Sequence, residues 1–174
     1  DLTPVCQNVE GGRKFEASSD IAIDNGIIQV IFDSSTGMMK GMQNDNTSVD
    51  LSQEWGYYTS YKNKKGIDDR GKLQNSGAYV FRPAHSTLNI LDNQCGKTVF
   101  YQSDLVTEIR SEFSSWVKQI IRIKKNHRYV EVEYTAGPVP INDGNGRELV
   151  TRFKSSIENN GIFYNDANGR DFVK

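Results

Sequence analysis

Tyr79 stands in the run Ser76-Gly77-Ala78-Tyr79-Val80-Phe81-Arg82-Pro83. A phenol hydroxyl there sits beside two residues with almost no side chain, ahead of a proline that ends a strand. Gly77 and Ala78 leave room for a ligand or another backbone to approach. That order reads as a strand end presented to a ligand. A buried tyrosine satisfied by a backbone carbonyl accounts for the same residues.

The other chemistry-bearing side chains are sparse. His85 and His127 are the only histidines, and neither has a carboxylate or cysteine at ligand spacing, so each reads as a surface or hydrogen-bonded histidine. Cys6 and Cys95 cannot build a zinc knuckle alone. They pair with each other, pair elsewhere or stay free, and their spacing does not decide which. Asp143-Gly144-Asn145-Gly146 and Asp166-Ala167-Asn168-Gly169 faintly resemble calcium loops but lack the later ligands. Both read as ordinary turns.

Glycoside cleavage needs two carboxyl groups flanking the scissile bond. Glu131 and Glu133 share a strand face, yet they alternate with apolar residues and read as a solvated sheet face. No nucleophile elbow, phosphate loop or dinucleotide fingerprint occurs. On these residues the chain has no self-sufficient catalytic centre and no metal site of its own. Trp55, Tyr57, Tyr58 and Tyr61 form an aromatic group that either stacks on sugar or packs in the core.

At 174 residues the chain has room for one domain with a real core. The net charge is −1 with basic residues scattered, which points away from nucleic acid. Lys62 to Lys65 is a short basic loop. No apolar run approaches the roughly 20 residues of a membrane span. Asp1 opens the chain without a Met or an apolar leader, and reads as a processed or trimmed start. Asn46-Thr47-Ser48 is an N-glycosylation acceptor by pattern.

Residues 1–19 form an irregular leading segment, and the β signal starts after it. Ile21-Ala22-Ile23, the turn Asp24-Asn25-Gly26 and Ile27 to Phe32 predict a hairpin. Further strands are predicted at Met38–Met42, Glu54–Tyr61, Tyr79–Phe81, Lys97–Tyr101, Leu105–Glu112, Ser115–Ile123, Tyr129–Thr135 and Leu149–Phe153. No long 3.6-residue pattern with caps appears. Many short strands with turns between them predict an all-β, antiparallel sandwich over residues 20–174.

The run from Ser76 to Pro83 also resembles a segment of lysosomal-type α-mannosidases of glycoside hydrolase family 38. So do Leu105 to Ile109, Phe113 to Trp116, Glu131 to Pro140, Gly146 to Phe153, and Phe163 to Asp171. These segments follow the family's order through its C-terminal β-rich region. Gly169-Arg170-Asp171 looks closer to lysosomal than to Golgi-type members. Cys95 has no family counterpart, and Asn165 stands where lysosomal members usually carry Thr.

The resemblance implies a large sandwich of the mutarotase-like type. It implies a zinc-dependent retaining enzyme acting on terminal α-mannosides of glycoprotein glycans. The zinc and the nucleophilic Asp would lie in a catalytic α/β domain outside this chain, and an arginine reaching the site would follow Lys174. The Gly-Ala-Tyr segment of the family brings a tyrosine into the mannose pocket, and the matching residue here is Tyr79. Lysosome or secretory pathway is the implied location. Later β-domains of the same enzyme are further implied partners. The rival reading is a carbohydrate-binding or structural β-module without a catalytic role.

Overall fold

The computed structural model describes residues 20–34, 36–63, 74–91 and 98–174. The leading segment 1–19, Cys6, Cys95, Lys64, Lys65 and Lys97 lie outside them. The described residues form twelve strands and no helix, all paired antiparallel, as the strand-and-turn pattern predicts.

The first sheet holds β1 (Ile21–Asp24), β2 (Gln29–Phe32), β3 (Met39–Gln43), β4 (Ser48–Thr59) and β10 (Arg147–Ser155), in that spatial order. The two-residue β5 (Asn89–Ile90) lies on β4. The second sheet is the meander β6 (Thr98–Gln102), β7 (Val106–Ser114), β8 (Val117–Lys124), β9 (Glu131–Ala136). A separate hairpin joins β11 (Asn165–Ala167) to β12 (Asp171–Val173) through left-handed Asn168 and Gly169.

Period-two alternation decides which side of each strand is buried. On β8, Val117, Gln119, Ile121 and Ile123 point inward, and on β7 Thr107, Ile109, Ser111 and Phe113 do. Val30, Phe32 and Met39 of the first sheet meet Phe100, Ile109, Ile121 and Ile123 of the second. The Phe32 and Phe100 rings pack edge to face at 5.8 Å. Trp55, Phe113, Trp116 and Val117 form a second apolar cluster. This is a β-sandwich, with Trp55 in its core rather than on a sugar-facing surface.

Several elements differ from the sequence reading, β4 among them, which starts at Ser48 and not at Glu54. Ile27 and Ile28 belong to the β1–β2 turn and not to β2, because the Asn25 side-chain oxygen accepts both their N–H groups at 3.0 and 2.9 Å. The Asn25 amide also donates to the carbonyls of Lys124 and His127, both at 2.8 Å, tying this turn to the second sheet. Tyr79 to Phe81 is not a strand but part of a tight turn described below.

Candidate functional site

Just past the end of β4, Ser60 and Tyr61 form a stem with a loop on each side. Ser60 N–H donates to Gly146 O at 3.0 Å on the β10 side. On the other side Tyr61 N–H donates to Arg82 O at 2.8 Å, and Tyr61 O accepts Ser76 N–H at 3.2 Å. The stem therefore grips both legs of the segment Ser76–Arg82. Between the legs, Gly77 and Val80 exchange backbone hydrogen bonds at 3.0 and 3.2 Å. These close a four-residue turn with Ala78 and Tyr79 at its tip.

Tyr79 is 101% exposed. Its ring contributes nothing to this domain's core. Space beside the turn is open: a Cβ built on Gly77 would meet nothing within 4 Å. The legs are braced by side chains as well. The Ser76 hydroxyl donates to the Glu148 carboxylate and accepts Arg82 N–H at 3.2 Å. Arg82 donates to Gln74 O at 2.7 Å and lies over the Tyr61 ring at 5.3 Å. Phe81 packs edge to face on Tyr58 at 5.7 Å.

The loop on the β10 side is organised by Arg147. Its guanidinium pairs with Asp143 at 2.7 Å, caps Pro140 O, and covers the Tyr57 ring at 5.2 Å. That hydrogen-bonded pairing holds the Asp143 carboxyl well below the usual carboxylate range. Asp143 is thus spent on its own loop, as an Asx-type turn residue, with Asn145 N–H at 3.0 Å as a further donor. Tyr57, Tyr58 and Tyr61 are each covered by a neighbouring guanidinium or ring, and do not make one stacking platform.

The remaining candidates are placed as follows. Glu131 pairs with Lys124 at 2.6 Å and Glu133 with Arg122 at 2.5 Å, on the solvated face of the second sheet. The His127 ring sits 2.9 Å from Lys125 O and against Tyr129. His85 is exposed. Asn46 is exposed in the β3–β4 turn, where Asn44 Oδ1 accepts the N–H groups of Asn46 and Thr47 at 3.0 and 2.9 Å. Among the described residues no group of three or more His, Cys, Asp or Glu is placed to hold a metal ion. What the site can offer a ligand is a phenol hydroxyl and an aromatic edge on a braced turn.

The pins Ser60 and Glu148 escaped the sequence reading, and Tyr61 entered it only as one of the aromatic group. Glu148 lies 72 residues from Ser76, and only the pairing of β10 with β4 brings them together.

The C-terminal part of the chain exposes large apolar side chains, among them Ile141, Phe153, Ile157, Phe163, Tyr164 and Phe172. β10 is the last strand of its sheet.

Residues 23–174 match the glycosyl hydrolases family 38 C-terminal domain. The alpha-mannosidase of Canavalia ensiformis is 38% identical over 152 residues, 87% of this chain and 15% of that protein. The lysosomal alpha-mannosidase of Mus musculus is 33% identical over 164 residues, 93% of this chain and 16% of that protein. The human lysosomal alpha-mannosidase is 31% identical over 159 residues, again 15% of its length. The chain spans about 15% of the length of the curated relatives it matches.

Proposed function

This chain belongs to the family 38 glycosyl hydrolases, as their C-terminal domain, and from that membership we propose that it is a non-catalytic β-domain of a retaining α-mannosidase. The enzyme removes terminal α-mannosides from glycoprotein glycans. The domain is residues 20–174, with residues 1–19 leading into it. Its own part is to line the sugar pocket with Tyr79 and to brace the catalytic α/β domain. The enzyme is zinc-dependent, and the metal's ligands lie outside this chain. The described residues supply no group for it, so the role proposed here is binding alone. The large apolar side chains exposed in the C-terminal part of the chain support packing against the enzyme's other domains. Relatives named as lysosomal support a lysosomal or secretory location. No helix among the described residues is long and apolar enough to cross a membrane.

The observation that carries the pocket role is the placement of Tyr79 at the tip of a turn braced from both legs. A side chain held out in this way is free to meet a ligand from a neighbouring domain. A hydrogen bond from its hydroxyl is worth about 1 kcal/mol to a neutral group and roughly 1.5–3 to a charged one. Tyr79→Phe in the full-length enzyme removes only the oxygen. The expected result is a fall in kcat/KM of about five- to a hundred-fold with Tm unchanged, each 1.4 kcal/mol being tenfold. Wild-type kinetics in this variant rule out the tyrosine's role.

A further inference from the structure

We propose that Glu148 is the positioning residue for Tyr79, acting through Ser76; this rests on the reading of Tyr79 as the sugar contact. One oxygen of the Glu148 carboxylate receives two serine hydroxyls. Ser60, in the β4 stem, donates to it at 3.1 Å. Ser76, in the first leg of the turn, donates to the same oxygen. The Ser76 oxygen then takes Arg82 N–H from the second leg at 3.2 Å. Stem, first leg and second leg are joined through a single carboxylate oxygen.

Glu148 is well placed for this. It sits on β10 opposite Tyr58 in the nine-residue ladder with β4, and is half-buried. Its backbone is fixed by the sheet, so it carries the rigidity of the sandwich out to the turn. Hydrogen bonds to an ionised carboxylate are shorter and stronger than neutral ones. The turn tip itself has no packing of its own, since Tyr79 is fully exposed. A ligand contact on such a tip depends on its supporting shell, because displacement of a binding group by about 1 Å can cost on the order of a hundredfold. The two backbone bonds to Tyr61 hold the legs along the stem, and the Glu148–Ser76 bond sets their approach from the β10 side.

A half-buried glutamate near a sugar site invites a second interpretation, that it moves a proton. The two roles separate by substitution. The amide introduced by Glu148→Gln keeps an oxygen that accepts both serine hydroxyls but cannot transfer a proton. In the full-length enzyme, Glu148→Ala is expected to lower kcat/KM about five- to thirtyfold. Glu148→Gln should recover most of that loss, to within about threefold of wild type. In a Tyr79→Phe background Glu148→Ala should cost less than about twofold, since its effect runs through the absent hydroxyl. Amide exchange at Gly77, Val80 and Arg82 should accelerate in Glu148→Ala, with exchange in β7 and β8 unchanged. Should Glu148→Ala fail to fold, Ser76→Ala removes the same link with less disturbance and is read in the same two backgrounds.

The outcomes are distinguishable. If Tyr79→Phe is fully active, the sugar-contact reading falls and this proposal with it. If Tyr79→Phe is impaired while Glu148→Ala and Ser76→Ala are not, only the positioning role falls. Equal losses from Glu148→Ala in both backgrounds, or a Glu148→Gln variant as impaired as Glu148→Ala, overturn it as well.

Discussion

The side-chain oxygen of Gln119 accepts the indole N–H of Trp55 at 2.8 Å, a hydrogen bond from one sheet to the other inside the core. The same oxygen accepts the Gln53 amide at 2.7 Å, and Gln119 returns a bond to Gln53 at 3.1 Å. All three side chains are buried. The sandwich thus holds a buried polar network that ties its two sheets together, and the Gln53 amide donates further to the Thr151 hydroxyl at 3.0 Å.

Removing one member leaves the others stranded. Gln119→Leu keeps the volume but orphans the indole N–H, and a buried unsatisfied donor costs about 1–3 kcal/mol. We expect a Tm lower by about 2–6 °C in the full-length enzyme. A Trp55→Phe, Gln119→Leu pair should recover part of that loss, since the indole N–H is no longer there to be orphaned and only Gln53 still lacks its Gln119 partner. Calorimetry of the wild type, the two singles and the double checks it, and a double variant no more stable than Gln119→Leu would contradict it.

Asn46 is the next expectation. The acceptor Asn46-Thr47-Ser48 lies in the β3–β4 turn, with Asn46 exposed and its backbone N–H taken by Asn44. The side chain is left to project where a glycan meets no packed neighbour. Protein made in a secretory host should lose the mass of one N-glycan at Asn46 on enzymatic release, and Asn46→Gln should abolish that loss. An unchanged intact mass after release counts against it.

Much of the scaffold is legible in the sequence because alternation is a local signal. Glu131 and Glu133 alternate with Val132, which packs on the core, and so announce the solvated face without help from the rest of the chain. The Asn25-Gly26 turn is legible for the same reason, as Gly26 takes the positive φ that the pattern demands. The misplacement of Ile27 and Ile28 comes from Asn25, whose side chain competes for their N–H groups, and β-branched propensity yields to that local bond. β5, β11 and β12 are two or three residues long with little burial, too short for any period to show. The candidate site divides in the same way. The sequence singles out Tyr79 by its neighbours Gly77 and Ala78. It is silent on Glu148, which reaches Ser76 only through β-sheet register.

Acid should act on the outer face of the second sheet. Glu108 accepts Arg122 at 2.7 Å and Arg110 at 2.6 Å, and Arg122 continues to Glu133 at 2.5 Å. Hydrogen bonding to Arg122 first, then to Arg110, lowers the Glu108 carboxyl below its ordinary 4.5. A carboxylate whose folded pKa is depressed binds its proton more readily in the unfolded chain. Its stabilisation is therefore whole above about pH 4.5 and is lost as pH falls through the lower folded value. Glu108→Gln lacks the charge at every pH, so its deficit should track that loss. At about pH 6 the variant should melt about 1–4 °C below wild type. Below about pH 4.5 the gap should narrow, and it should close only below the lowered folded pKa, where the wild-type carboxyl is as neutral as the amide. Added salt should also narrow the gap at pH 6, since these side chains are partly solvated. Melting curves of the two full-length proteins from about pH 3 to 7 decide the matter, and a gap that holds or widens on acidification would show that Glu108 contributes by packing and not by charge.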